Sequence, residues 1–391
     1  FCDSLLYLFV SKKSEPLLCQ EFVELIQSKL GVIMPGSYDS FREVFRFLLL
    51  ESKKRHITLV IDEFQEFMTI NKSLYSEMQN LWDSNKHDSR MHLVLCGSLY
   101  SLMKRIFEDA REPLFQRANH RIILKPLDVG VLKQILGEHL PGCNNEDLLA
   151  LFAVTGGTPR YLELLIDEGS LSKKQILDAV VAEDSFFLVE GKNVLIEEFS
   201  REYSTYFSIL ALIAGSKGTR SAIEGDLGRS VGPQLGKLEN EFSVIGRITP
   251  ILASQNTRQI AYEIDDVFLT FWFHFIYRNQ SAVEIGNLDY VRRLIDRDYQ
   301  TFAGKALERY FIQQLADSKR YSRIGKWWDN KGGNELDIVA LNEEEKHADV
   351  FEVKLSPKRL CTGNLPHKAT RLLEQLKGYK VTYGGLSIDD M

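Results

Sequence analysis

The sequence predicts an α/β protein: a parallel sheet flanked by helices, then a helical stretch, a helix-and-hairpin module and a second α/β module. Three observations carry that expectation. Apolar runs "LYLFV" (6–10), "ITLVID" (57–62), "HLVLCGS" (92–98) and "HRIILKPL" (120–127) alternate with amphipathic segments, the pattern of parallel strands covered on both faces. From residue 128 to about 198 the pattern is helical throughout, and from 199 to 280 three helical segments precede the strand pair "RITPI" and "QIAYEID". Beyond residue 300, "NELDIVAL" and "DVFEVKL" restore strand character. With 391 residues the chain exceeds one ordinary core.

Within the first block, "LLCQEFVELIQSKLG" (17–31) has helical spacing and Gly31 to end it. "SYDSFREVFRFLLLESKK" is a second amphipathic helix, with Ser40 or Asp39 as its N-cap. "LYSEMQNLWD" and "LYSLMKRIFED" supply two more. "NNEDLLALFAVTGGTPRYLELLI" reads as helix, Gly-Gly stop, and a second helix opened by Pro159. "YFSILALIAG", "RSAIEGDLG" and "VGPQLGKLENEFSVIG" followed by the hairpin make a winged helix. "FLTFWFHFIY" is expected to be a buried aromatic helix with His274 as a core histidine. "VRRLIDRDYQTF" is a connecting helix. The boundaries read from these shifts are 1–127, 128–198, 199–280, 281–300 and 301–391.

Net charge is −6, so a nucleic-acid contact would have to come from local basic patches. Cys2, Cys19, Cys96, Cys143 and Cys361 are scattered without a CxxC pair, which speaks against zinc and for a reduced, cytoplasmic protein. The longest apolar run, "VFLTFWFHFIY", is far short of a membrane span.

The chemistry concentrates at "HITLVIDEFQEF" (56–67), where a buried strand ends in Asp62 and Glu63. In P-loop ATPases an Asp at that place holds Mg²⁺ through water, and the next Glu polarises the water that attacks ATP. Both must sit at the carboxyl end of a parallel strand. Ser98, ending the next buried strand, is in reach of the γ-phosphate or of that water. Such an enzyme also needs a glycine-rich loop ending in Gly-Lys-Ser/Thr, and these residues contain none.

Taken in order, "YLFVSKKSEPLLCQEF", "LVIDEF", "LVLCGS", "PLFQRANHRIILKPL" and "TGGTPRYLELL" resemble the archaeal/bacterial ATPase family of the STAND branch of AAA+-like P-loop proteins. "LTFWFHFIYRN" and "NELDIVALNEEEKHADVFEVK" resemble the DUF234 domain habitually fused to it. The resemblance implies ATP and Mg²⁺ as ligands and a helical lid whose turn brings Pro159 and Arg160 to the nucleotide. It implies that a first strand, the phosphate loop and its helix, about thirty residues not present here, precede "YLFVS", with that strand lying between those ending at Leu127 and Ser98. It gives Arg117 as an arginine reaching the γ-phosphate of its own or a neighbouring subunit, with a surface salt bridge as the alternative and Arg121 as the weaker rival.

The third helix of the winged helix presents Gln234, Lys237 and Asn240 outward as candidate DNA contacts, with Leu235, Leu238 and Phe242 in the core. Lys217, Arg220, Arg229, Arg247 and Arg258 add a slight positive excess. In the last module, "NEEEKHA" is the turn of a hairpin that brings Asp337 alongside Glu352, while Glu352 and Lys354 project from one face. Asp…Glu-x-Lys is the constellation of the PD-(D/E)xK, restriction-endonuclease-like fold, in which carboxylates bind Mg²⁺ and the lysine positions water. Glu308 matches an additional acidic residue, Gln375 is a further candidate, and Trp327 and Trp328 pack in the hairpin or stack on bases. The expected whole is an ATP-hydrolysing switch, open to homo-oligomerisation, coupled to a nuclease-like domain near nucleic acid. The alternative is a nucleotide-regulated DNA- or protein-binding scaffold whose nuclease-like domain is inactive.

Overall fold

The computed structural model describes residues 4–199, 203–329 and 333–391; Cys2 and the middle of "DNKGGN" lie outside them. The described residues form two compact units that divide between Ile123 and Leu124.

In the first unit, β1 (Leu5–Phe9), α1 (Glu15–Leu30) and α2 (Phe41–Ser52) lead to β2 (Ile57–Asp62). A short α3 (Phe67–Ile70), α4 (Leu74–Asn85), β3 (Met91–Leu95) and α5 (Tyr100–Glu108) follow. The strands form a parallel sheet in the order β1-β2-β3, with Leu8 opposite Ile61 and Val60 opposite Val94. α1 ends at Gly31, whose φ of 61° takes the left-handed cap, and α2 is capped by Ser40, which accepts from Arg42 N–H at 3.2 Å. Leu6, Leu8 and Val10 join Leu18, Phe22, Phe41 and Phe45 in one core.

Two expectations fail here. Coverage is one-sided at β1, where Leu5, Tyr7 and Phe9 remain about half exposed. Residues 120–127 make no strand, and Ile122 and Leu124 are 84% and 91% exposed. An apolar, β-branched run becomes a strand only when a neighbouring strand takes its backbone N–H and C=O groups, and none of the described strands pairs with it.

The second unit begins with α6 (Val129–His139), α7 (Asn145–Thr155), α8 (Pro159–Asp167), α9 (Lys173–Val180) and α10 (Phe186–Phe199). α11 (Tyr203–Ala214), α12 (Arg220–Leu227) and α13 (Gly232–Asn240) precede the antiparallel pair β4 (Ile245–Ile248) and β5 (Ala261–Ile264). α14 (Val267–Phe271) runs into a π-helical turn, Trp272–Ile276, and α15 (Gln280–Glu284). There His274 is a core histidine: Nδ1 lies 3.0 Å from the Ala214 carbonyl, and burial holds its pKa down.

α16 (Leu288–Asp317) is one uninterrupted helix of 30 residues, about 45 Å long. It passes straight through the boundary expected at 300/301. Val291, Ile295, Tyr299, Phe302, Ala306 and Tyr310 recur every three or four residues and are buried. The final sheet contains β6 (Arg323–Trp328), β7 (Glu335–Asn342) and β8 (His347–Val353). The short α17 (Leu365–Lys368) and α18 (Thr370–Leu373) precede β9 (Lys380–Leu386). The order is β6-β7-β8-β9, with the last pair parallel and the others antiparallel.

A single apolar cluster runs from Leu132 and Phe152 through Phe207, Leu235 and Phe271 to Tyr310, Ile338 and Val353. α16 is its backbone: Phe152 meets Tyr310 edge-on at 5.5 Å, and Arg309 donates to the Ile264 carbonyl at 2.8 Å. Among the described residues no helix is long and apolar enough to cross a membrane.

Candidate functional site

β2 delivers Asp62 at its carboxyl end, and the chain turns there. Glu63 has φ 54° and ψ 39°, a left-handed conformation that costs a non-glycine residue about 1 kcal/mol or more. The turn is held by the neighbouring strand: Cys96 N–H donates to the Ile61 carbonyl and Phe64 N–H to the Cys96 carbonyl, both at 2.9 Å. Its effect is to part the two carboxylates. Asp62 Oδ2 accepts from the Tyr7 hydroxyl, and Asp62 Oδ1 accepts from Glu63 N–H at 3.0 Å. Glu63 Oε2 instead accepts from Ser98 Oγ at 2.8 Å and from the Gln65 side-chain amide. Hydrogen bonding to Asp62 raises the pKa of Tyr7, and burial, aided by the Asp62 charge, raises that of Cys96.

Asp62, Glu63 and Ser98 thus meet at one corner of the sheet. Tyr7 and Gln65, both absent from the sequence-based candidates, join them. Tyr7 was legible only through the register that sets β1 beside β2, and Gln65 only through the left-handed turn at Glu63.

Arg117 lies elsewhere in its contacts: it donates to Asp83 Oδ2 at 3.1 Å and to the Phe115 carbonyl at 2.9 Å. Arg121 is ion-paired with Glu108. In the second unit, Gly156 and Gly157 take φ of 58° and 86°, and Pro159 opens α8. The Gly157 carbonyl accepts from Leu127 N–H at 2.8 Å, and a Cβ on Gly157 would sit 2.4 Å from the Leu127 carbonyl oxygen. Arg160 pairs with Glu163 at 2.7 Å.

On α13, Lys237 is exposed, whereas Gln234 is only partly so, with its Oε1 buried and without a hydrogen-bond partner. Asn240 folds back onto the Gly236 carbonyl of its own helix at 3.0 Å. Three cations of this region are matched locally, Lys217 by Asp226, Arg220 by Glu224 and Arg247 by Glu239.

In the last module Ile338 lies opposite Phe351, so the ladder carried one step further sets Asp337 beside Glu352. Asp337 Oδ2 accepts from Val353 N–H at 2.8 Å and from Lys354 Nζ at 3.1 Å. Glu352 is buried; its Oε2 accepts from Cys361 N–H at 2.5 Å, and Lys354 and Lys368 approach Oε1 at 3.9 and 3.8 Å. Glu308 pairs instead with Lys326 at 2.8 Å. Burial raises the Glu308 pKa against the opposing pull of Lys326. Burial alone would lower Lys326, but the Glu308 and Glu263 carboxylates outweigh it and hold that ammonium's pKa up. Asp337, Glu352 and Lys354 are therefore brought together and Glu308 is engaged separately. Among the described residues no group of three or more His, Cys, Asp or Glu side chains is placed to hold a metal ion. Trp327 is buried against the sheet. Lys326 and Lys368 were not foreseen as partners of these acids, because pairs across separate elements leave no spacing signal.

Comparison with known proteins bears on the family and the fold. Residues 12–165 match the family model of an ATPase domain predominantly from Archaea, and residues 272–363 match DUF234, described as archaeal and bacterial proteins of unknown function. An uncharacterised protein of Methanocaldococcus jannaschii, MJECL04, is 30% identical over 306 residues, which is 76% of this chain and 67% of the relative. A second protein of that organism, MJ0424, is 36% identical over 56 residues, 14% of this chain and 54% of the relative. Among solved structures, the Walker-type ATPase PABY2304 of Pyrococcus abyssi superposes with a TM-score of 0.51 at 19% identity, covering 69% of this chain and 84% of that one. That likeness shows a P-loop ATPase-like fold. The chain belongs to the family of ATPases found predominantly in Archaea that carry a C-terminal DUF234 domain.

Proposed function

We propose that this protein is an ATP-hydrolysing switch in which Glu63 aims the attacking water. The observation that supports the reading is the corner itself: two adjacent carboxylates at the carboxyl end of the central parallel strand, turned apart by the backbone at Glu63 and given different partners. In hydrolysis the water oxygen bonds to the γ-phosphorus, the bond to the bridging oxygen breaks, and ADP leaves with the electron pair. Glu63 accepts the hydrogen bond of that water and orients its lone pair. Ser98 steadies Glu63 or the γ-phosphate.

Asp62 suits magnesium. A carboxylate has about four lone-pair sites, and Tyr7 and Glu63 N–H use two of them. The ion would neutralise phosphate charge. The residues present account for the magnesium and water end of such a site; no stretch of them is a phosphate-cradling Gly-Lys-Ser/Thr loop. The test is ATP turnover by the full-length protein, with and without Mg²⁺, beside Glu63→Gln. Loss of turnover with nucleotide retained supports the assignment, and unchanged turnover removes it.

For the C-terminal module the geometry favours the second reading, a binding or scaffolding part that does not cleave. Its acids are matched by Lys354, Lys368 and the Cys361 amide, so the corner is close to neutral without a metal. Phosphodiester contacts through the two lysines remain chemically open to it, as do DNA contacts through Lys237. Incubation with single- and double-stranded DNA and Mg²⁺ or Mn²⁺ decides between them: cleavage abolished by Asp337→Ala and Lys354→Ala would restore the nuclease reading.

A further inference from the structure

The two oxygens of Glu63 are treated unequally. Oε2 takes both the Ser98 hydroxyl and the Gln65 amide, while Oε1 has no partner among the described residues. Gln65 is 1% exposed, and its own Oε1 is buried without a hydrogen-bond partner. Turning the amide over would press that oxygen onto a carboxylate, two acceptors in contact, so the donor must face Glu63. A Met of the same shape would fill this place without leaving an unpaired buried acceptor. The amide is therefore retained at a cost that packing does not explain.

Room for it comes from Gly97. A Cβ there would fall 2.2 Å from Gln65 Oε1 and 2.6 Å from Met103 Sδ. The Gln65 carbonyl and its neighbour Phe64 are braced from below by the Tyr75 hydroxyl, at 3.4 and 3.2 Å.

We infer that Gln65 is a positioning residue for hydrolysis. With Ser98 it pins Oε2 of Glu63, which fixes the carboxylate plane and leaves Oε1 as the acceptor for the attacking water, and Gly97 keeps the amide's place open. The inference rests on the ATPase reading of the corner.

The experiment uses the full-length protein, with steady-state ATP turnover and, separately, affinity for a fluorescent ATP analogue. Gln65→Met should lower kcat about 10- to 100-fold and leave KM and nucleotide affinity within about twofold. Ser98→Ala should show the same split, and thermal melting checks that both are folded. Should Gln65→Met fail to fold, Gln65→Leu takes its place with the same expected loss, because it too lacks the donor that holds Glu63. A folded Gln65 variant with wild-type kcat, beside an inactive Glu63→Gln, overturns the positioning role and leaves the ATPase reading standing. A wild-type protein without turnover, or a fully active Glu63→Gln, overturns both.

Discussion

Ser98 and Glu63, 35 residues apart in sequence, meet at 2.8 Å across the ends of two parallel strands. That contact ties the end of β3 to the residue after β2, so the geometry of the acidic corner depends on strand register as well as on its own turn. A one-residue slip of β3 would replace the hydroxyl with Gly97 or Leu99 and send alternate side chains to the opposite face.

Arg117 separates a structural from a catalytic role. Its pair with Asp83 is about one-third exposed on both sides, and pairs in contact with solvent contribute about 0.2–1 kcal/mol. A double-mutant cycle of Arg117→Ala and Asp83→Ala in denaturant melts is expected to give a coupling in that range. Turnover reduced more than about tenfold by Arg117→Ala alone, with Asp83→Ala silent, would instead put the guanidinium on the nucleotide.

Lys326, on the first strand of the C-terminal sheet, pairs with two carboxylates, Glu308 at 2.8 Å and Glu263 at 3.5 Å. Lys326→Met leaves Glu308 without its ammonium, in a place where burial already raises its pKa. Removing one partner of such a pair costs about 3–5 kcal/mol. Glu308→Gln added to Lys326→Met should recover much of that loss in urea unfolding. A fully additive pair of changes would show that the two residues act independently.

Gly157→Ala is expected to destabilise by about 2 kcal/mol or more. The φ of 86° opposes a side chain, and the Cβ meets the Leu127 carbonyl oxygen at 2.4 Å. Gly169→Ala, with φ 66° and open space around it, isolates the conformational part of the cost. Equal midpoints for the two variants would show that the Leu127 contact adds nothing.

His274 gives the second unit an acid sensitivity of known sign. Its folded pKa is depressed by burial, which outweighs the opposing hydrogen bond to the Ala214 carbonyl; Arg278 and Lys305 push the same way as burial and Asp298 against it. The unfolded chain therefore takes up the proton first. The stabilising contribution is complete above the ordinary histidine value of about 6.5 and is lost as pH falls from there towards the folded value. Chemical unfolding across that window should steepen in the wild type and flatten in His274→Phe. An unchanged slope would mean that His274 has the same proton affinity in the folded and unfolded chain, so that its burial carries no protonation penalty.

Much of the site was legible because local chemistry and fold agree there. The "LVID" run could only be a buried strand, and its carboxylates had to emerge at the strand end. The hairpin register followed from the turn residues "NEEEKHA", which is why Asp337 and Glu352 stand together. Residues 120–127 misled because an apolar β-branched run records preference and not partnership. Gln234 misled for a related reason: helical spacing says which side of α13 a residue occupies and not whether a neighbouring side chain covers it. Gln65 carried no signal at all, since its contact with Glu63 arises from a left-handed turn that no glycine announces.

The long helix Leu288–Asp317 has a practical corollary for anyone dissecting the molecule. Cutting at residue 300, where composition invites it, would sever a girder midway and lay bare Phe302, Ala306 and Tyr310 on the excised piece. Recombinant versions of the C-terminal DUF234 region are expected to stay monodisperse in size-exclusion chromatography only if they begin upstream of Asn287 and bring along the helices that shelter that flank.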